Sequence, residues 1–429
     1  MRKQIIRRVS NPAQFIEKLF HWASQQTIFT ILEGQQMEMP GHQFDCVIGI
    51  GKRSSLNFEN RVDFDQVDHY HQQTKDWLFS YISYDVKNSI ENLTSDNSDG
   101  LHFPHLTLIQ PQKVLCLKND MLFFHYLDQD VDSIADDLNA ILLQIVSETP
   151  LPQFEFQSRM PRKMYLENAS HLMQHIQRGD IYEINFCQEY YAENVTFNCL
   201  QAYKRLRELS KAPFSVFAKH DSHYIISASP ERYLSKTETD LISQPIKGTA
   251  KRDSDLEKDE ALKIMLQNDP KERAENIMIV DLVRNDLSKI AQKSSVCVDE
   301  LCEIYSFEQV HQMISTLRCS VDKNIHLSDI LKASFPMGSM TGAPKYKTMQ
   351  LAEKYENTKR GLYSGSVGYI TPEFNFDFNV IIRSLLYNAD TRYLSYMVGS
   401  ALTAQSDIEK EYEECELKGK AMKQIFGQS

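Results

Sequence analysis

The chain has 429 residues and a net charge of −11, with 24% charged and 42% hydrophobic residues. That balance is ordinary for a soluble globular protein of about two or three domains, and the acidic surplus without a basic stripe argues against a nucleic-acid partner. No apolar run reaches the ~18 to 20 residues that crossing a bilayer requires. The basic start Met1–Arg8 has no signal-peptide core behind it. The 8 cysteines (Cys46, Cys116, Cys187, Cys199, Cys297, Cys302, Cys319, Cys415) contain no Cys-x-x-Cys pair. This points to reduced thiols in a cytoplasmic protein and away from a zinc site.

In chain order, Asn11-Pro12 sets up a helix with apolar residues at Phe15, Ile16, Leu19, Phe20 and Ala23. Residues 44–50, 105–110 and 113–118 read as strands and 132–147 as an amphipathic helix. The run 95–100 is a loop, and Pro150 and Pro152 mark a junction. Residues 1–150 form an N-terminal structural part, expected to pack into the same core as a catalytic part over 155–427. There, strands are expected at 215–218, 224–228, 233–235, 241–244, 365–370, 379–387 and 393–399. Helices are expected at 161–177, 199–209, 255–267, 270–290, 328–334, 345–356 and 407–425. Strand pairs that return on themselves between helices indicate an α+β fold.

Two helices carry the densest chemistry. The first opens with Asp269 as N-cap, Pro270 in the first helical position and Glu272 completing a capping box. On its apolar face Glu275 joins Met278, Ile279, Leu282 and Asp286, which is costly for a carboxylate without a partner. The last helix repeats the pattern, with Ser406 and Glu409 as a capping box and Glu411 and Glu414 three apart. Two Glu-x-x-Glu pairs suit a hard divalent ion such as Mg²⁺, although acidic first turns also favour a helix for electrostatic reasons alone.

Pro245-Ile-Lys-Gly-Thr249 places Lys247 at a strand end beside a glycine that lets a ligand approach the backbone. Phe335–Lys345 puts glycines and hydroxyls just before a helix, where free N–H groups suit a carboxylate. Asp377–Arg383 carries an arginine in an apolar strand, and a buried arginine needs an anion.

These segments resemble the chorismate-utilising enzymes, which include anthranilate synthase component I, aminodeoxychorismate synthase component I, and isochorismate and salicylate synthases. The likeness covers about residues 155–425 and extends to Gly179–Asn185, Ala228–Arg232, Val280–Asp286 and Gly361–Tyr369. It implies a four-layer α/β/β/α core with two packed, mainly antiparallel sheets. Anthranilate synthases carry alanine where Lys247 stands, whereas aminodeoxychorismate synthases carry lysine. Isochorismate and salicylate synthases use a lysine base near the place of Glu183, so its absence here argues against hydroxylation. The resemblance therefore implies amination of chorismate at C4, on the route to p-aminobenzoate and folate. The alternatives are an anthranilate synthase component I and a chorismate-binding subunit without activity.

By the same resemblance, Glu231 is the general acid and Lys247 the nucleophile that adds at ring C2. A nucleophilic lysine must be neutral, so its pKa is expected well below the usual ~10.4. Glu275 and Glu414 would bind Mg²⁺ directly and Glu272 and Glu411 through waters. Ser339, Tyr363, Arg383 and the backbone at Gly399 match contacts to the enolpyruvyl group, and Gly248, Thr249 and Lys418 match other substrate contacts. The family's histidine aligns on Gln312, with His311 beside it as the alternative. The run Gly399–Ser406 has fewer glycines than usual, and Ile31–Gly34 is only faintly like a tryptophan-binding segment, so no feedback regulation is expected there. No Gly-x-Cys-x-Gly elbow is present, so ammonia is expected from a separate glutamine amidotransferase subunit. The end at Ser429 implies no fused lyase.

Overall fold

A computed structural model of the chain describes residues 2–34 and 42–428. Among these, strands form one sheet of 12 and another of 10, in which Gln157–Ser158 and Cys297–Ser306 pair off the main order with Glu183–Ala192 and Val310–Ser320. The first sheet runs in the order Arg2–Arg8, Met121–Leu127, Lys113–Lys118, Cys46–Ile50, Phe29–Glu33, Phe214–His220, His223–Ser229, Ser384–Asn388, Tyr393–Thr403, Glu183–Ala192 and Gly342–Ala343. The second runs Ile246–Lys251, Val310–Ser320, Asp240–Gln244, Arg232–Thr237, Phe376–Val380, Ser366–Ile370, Leu78–Ile82, Leu106–Gln110 and Ser54–Phe58. Neighbours along both orders are antiparallel, for example Glu183–Ala192 against Tyr393–Thr403 and Leu78–Ile82 against Ser366–Ile370. Strands from the first ~130 residues thus form one end of each sheet, and later strands continue both sheets without a break.

Period-two patterning assigns the layers. In Phe214–His220, Phe217 joins a core shared with Phe20, Tyr203 and Met422 under the helices Pro12–Ser24, Cys199–Ser210 and Ile408–Ile425. Its neighbours Val216 and Ala218 face the opposite way, into a core shared with Tyr81, Leu234 and Val367 of the second sheet. That second core also takes Ile279, Val283 and Leu287 from the helix Pro270–Ser288 and Ile330 and Leu331 from Leu327–Ser334. The result is the α/β/β/α layering that the resemblance implies.

The expected elements appear with several differences. The single strand at 379–387 is two, Phe376–Val380 and Ser384–Asn388, one in each sheet, broken where Arg383 takes φ 52°. Lys247 is not at a strand end. Pro245 breaks the chain, and Ile246–Lys251 continues along the same partner, Val310–Ser320, that pairs with Asp240–Gln244. The last helix is capped by Asp407, which accepts from the N–H groups of Glu409 and Lys410, and not by Ser406.

Candidate active site

The site lies where strand ends of the two sheets meet the N-terminal turns of two helices. Glu183 begins the strand Glu183–Ala192 of the first sheet, and Lys247 belongs to the edge strand Ile246–Lys251 of the second. Lys247 Nζ donates to Glu183 Oε1 at 2.8 Å, so one ion pair joins the sheets. The register slips between Ile246 and Thr249, and Gly248 takes φ 95°. A Cβ there would lie 3.1 Å from Glu272 Oε2, so glycine serves both the left-handed backbone and the close approach of this carboxylate. Thr249 is exposed and pairs across the ladder with buried Gln312.

Lys247 does not have the lowered pKa that a free amine would require. Burial pushes it down, but the carboxylates of Glu183, Glu275 and Glu231 outweigh burial and raise it above the usual lysine range. The lysine rests as an ammonium. Glu231 shows the opposite balance, because burial lifts its carboxyl to about 7 against the Ser339 hydrogen bond and the charge of Lys247. Ser339 Oγ donates to Glu231 Oε1 at 2.6 Å. A carboxyl with that value still holds a proton near neutrality, as a general acid requires.

The helix Pro270–Ser288 lies over the second sheet, held by Asn276, whose Nδ2 donates to Met313 O at 3.2 Å and whose Oδ1 accepts from Ser315 Oγ at 2.5 Å. Asp269 caps it through the N–H groups of Lys271 and Glu272. The Glu272 carboxylate is directed at Gly248, so the expected capping box is replaced by a simple cap. Glu275 is 7% exposed, burial lifts its carboxyl to about 7, and its Oε1 has no hydrogen-bond partner. Glu272 is also raised by burial. The helix Ile408–Ile425 packs on Tyr393–Thr403. Buried Glu411 accepts from Ser400 Oγ and, at 2.9 Å, from Lys271 Nζ. Half-exposed Glu414 pairs with Lys418 at 2.6 Å; what burial it has works upward, but Lys418 outweighs it and holds the carboxyl below its usual value.

Glu272, Glu275, Glu411 and Glu414 therefore face one region, but lysines bridge them. Lys271 reaches Glu411 and lies 3.7 Å from Glu275 Oε1. Among the described residues, no group of three or more His, Cys, Asp or Glu is gathered as a metal cage. The donor set nonetheless fits a hard divalent ion, with four carboxylates on two helices and one buried oxygen without a partner.

The other expected residues fall nearby. Lys418 Nζ donates to Gly399 O at 2.9 Å, and a Cβ on Gly399 would meet Cys187 Sγ at 2.7 Å. Arg383 Nη1 donates to Lys418 O at 3.3 Å; among the described residues no carboxylate is hydrogen-bonded to this arginine, and burial lowers its pKa. Tyr363 is buried, which raises its hydroxyl pKa. His311 points away from the site, to Asp259 Oδ1 at 3.1 Å and Ser306 Oγ at 2.8 Å. Gln312 keeps a buried Oε1 without a partner. Sequence reasoning named Glu183 only for the lysine it lacks and missed Lys271. Spacing gave no signal for either, because each acts across a contact between distant segments.

The family model described as chorismate binding enzyme matches residues 18–424. Aminodeoxychorismate synthase component 1 of Escherichia coli is 35% identical over 285 residues, which is 65% of this chain and 62% of that protein. The protein of that name from Klebsiella aerogenes is 36% identical over 60% of this chain and 57% of its own length. The chain thus spans less than two thirds of these relatives. Among solved structures, anthranilate synthase component I of Streptococcus pneumoniae TIGR4 superposes with a TM-score of 0.78 at 23% identity, covering 90% of this chain and 93% of that one. MenF, the menaquinone-specific isochorismate synthase of Escherichia coli, gives 0.77 at 16% identity, covering 99% and 95%. By the match of that family model over residues 18–424, the chain belongs to the family of chorismate-binding enzymes.

Proposed function

We propose that this chain converts chorismate and ammonia to 4-amino-4-deoxychorismate, with ammonia delivered by a separate glutamine amidotransferase subunit. It would serve p-aminobenzoate and folate synthesis in the cytoplasm; among the described residues no helix is long and apolar enough to cross a membrane. The observation that carries this reading is Lys247, a buried amine whose environment includes the acid Glu231. The curated relatives named for this activity support it.

Hydroxide is a poor leaving group, so the C4 oxygen must leave as water, with its proton drawn from the Glu231 carboxyl. The neutral Lys247 amine adds at ring C2, the double bond shifts, and the C4–O bond breaks. Ammonia then forms a bond to C4, the double bond shifts back, and the C2–N bond to lysine breaks. Glu231, now a carboxylate, takes the proton the new ammonium gives up. Glu275 and Glu414 would hold Mg²⁺ directly and Glu272 and Glu411 through waters, and the ion would supply positive charge for the substrate's ring carboxylate. Arg383, Tyr363, Ser339 and the Gly399 backbone would position the enolpyruvyl group, with Gly248, Thr249, Gln312 and Lys418 at the remaining substrate edges.

The test is product identity. The purified chain is given chorismate, Mg²⁺ and ammonium, then aminodeoxychorismate lyase. p-Aminobenzoate is expected. Anthranilate would overturn the C4 assignment, and no product would favour a binding subunit.

A further inference from the structure

We infer that Glu183 is the proton acceptor and positioning residue for Lys247, taking the ammonium proton directly so that the amine can act as a nucleophile. This rests on the reading of Lys247 proposed above. The step needs nothing from outside the pair. The proton passes from Nζ to Glu183 Oε1, leaving a neutral amine and a neutral carboxylic acid, with no change in atoms, electrons or net charge.

Geometry carries the assignment. The Nζ–Oε1 separation is 2.8 Å, the lysine side chain is 12% exposed and the glutamate side chain 1%. The glutamate backbone is fixed on both sides, since Glu183 pairs with Ala343 on one strand and Thr403 on the other. A Cβ on Gly342 would fall 2.1 Å from Glu183 O, so the glycine lets the neighbouring strand press close against Glu183.

The contrast with the other buried glutamates is informative. Glu189, on the same strand, accepts from Tyr393, Ser395, Thr358 and Arg159. Glu356 holds the Arg360 guanidinium through both oxygens and accepts from Cys187 N. Glu183 Oε2, by contrast, is buried with no partner, and Oε1 meets the lysine. Protonating this carboxylate breaks no other hydrogen bond.

Lys247 faces further carboxylates, Glu231 from the turn before Arg232–Thr237, Glu272 and Glu275 from Pro270–Ser288, and Glu414 from Ile408–Ile425. These set its charge from a distance. Glu183 alone among them makes the direct contact in the structure.

The experiment compares wild type with Glu183→Gln and Glu183→Asp in two readouts. The first is labelling of Lys247 by acetic anhydride across pH, followed by peptide mass spectrometry without substrate. The second is the pH profile of kcat and kcat/KM with chorismate and ammonium. In Glu183→Gln the labelling midpoint should move down by at least about one pH unit, because a facing negative charge is lost. Yet kcat should fall by about 10² to 10⁴ for want of the acceptor. Glu183→Asp, which keeps the charge, should recover part of kcat and guards against a folding artefact. A Glu183→Gln enzyme with kcat unchanged or raised would overturn the inference, since the carboxylate would then only hold the lysine charged. An unmoved labelling midpoint would also overturn it. If wild type itself yields anthranilate or nothing, the functional reading fails instead, while the labelling midpoints still decide whether the pair exists.

Discussion

Ser339 and Glu231 lie 108 positions apart in the sequence and meet at 2.6 Å, the hydroxyl donating to a carboxylate whose burial keeps it up at about 7. The hydroxyl favours the ionised form, so it works against burial and sets the acid near neutrality. Rates of C4 substitution should therefore decline as pH rises through about 7. Removing the donor in Ser339→Ala should move that limb to higher pH. Steady-state profiles of the two enzymes would show it, and a limb that moves down would contradict the hydrogen-bond assignment. Glu231→Gln should lose about 10² to 10⁴ in kcat.

Lys247→Ala should abolish amination at C4 and leave chorismate binding largely intact, because the lysine's direct partner is Glu183 and not a substrate-holding loop. Chromatography of the products after aminodeoxychorismate lyase is the check. p-Aminobenzoate at wild-type rate would eliminate a covalent lysine mechanism.

Glu275 has a sign that stability measurements can read. Burial lifts its carboxyl to about 7 from an ordinary value of 4.5, so the unfolded chain ionises first as pH rises. Its contribution to stability declines across that window and stays low above it. In EDTA, Glu275→Gln should therefore gain on wild type in Tm between pH 5.5 and pH 8.5. Added Mg²⁺ should raise the wild-type Tm and leave the variant nearly unmoved, by mass action on the folded state. Calorimetry with and without Mg²⁺ would separate the two effects.

Arg360 is the structural support of the loop that presents Ser339. Buried among Glu356, Met340 O and Asn185 O, its guanidinium ties the 338–343 segment to the strand that carries Glu183. Arg360→Met leaves the Glu356 carboxylate buried without its guanidinium, at a cost of about 3 to 5 kcal/mol. Urea titration should find that loss, and a change under about 1 kcal/mol would mean the pair is solvated.

Helices were legible wherever their signals were local. Asn11-Pro12 and Asp269-Pro270 cap the helices they announce, and the apolar stripe of Pro12–Ser24 buries Phe15, Leu19 and Phe20 as its spacing requires. Strands were less legible where context decides them. The basic start does not read as a strand, and only the pairing of Arg2–Arg8 with Met121–Leu127 at the sheet edge makes it one, with Arg7 and Arg8 exposed and Arg2 tied to Asp76. The break at Arg383 was hidden because an apolar run does not show where the chain passes from one sheet to the other. The same limit applies to the site. The residues that the resemblance named occupy motifs, whereas the Lys247–Glu183 contact joins positions 64 apart and has no motif of its own. The expected fall in the pKa of Lys247 failed for this reason, since the carboxylates that raise it come from separate segments.

The strand order of the first sheet also constrains how the chain can be made. Ser384–Asn388 and Tyr393–Thr403 lie inside that sheet, between His223–Ser229 and Glu183–Ala192. During synthesis, a nascent chain released only as far as residue 380 holds two sheet fragments with facing unpaired edges and nothing to join them. Such edges template pairing with other chains. The gap closes only when translation has supplied the last two strands, so the protein is most exposed to aggregation late in its synthesis.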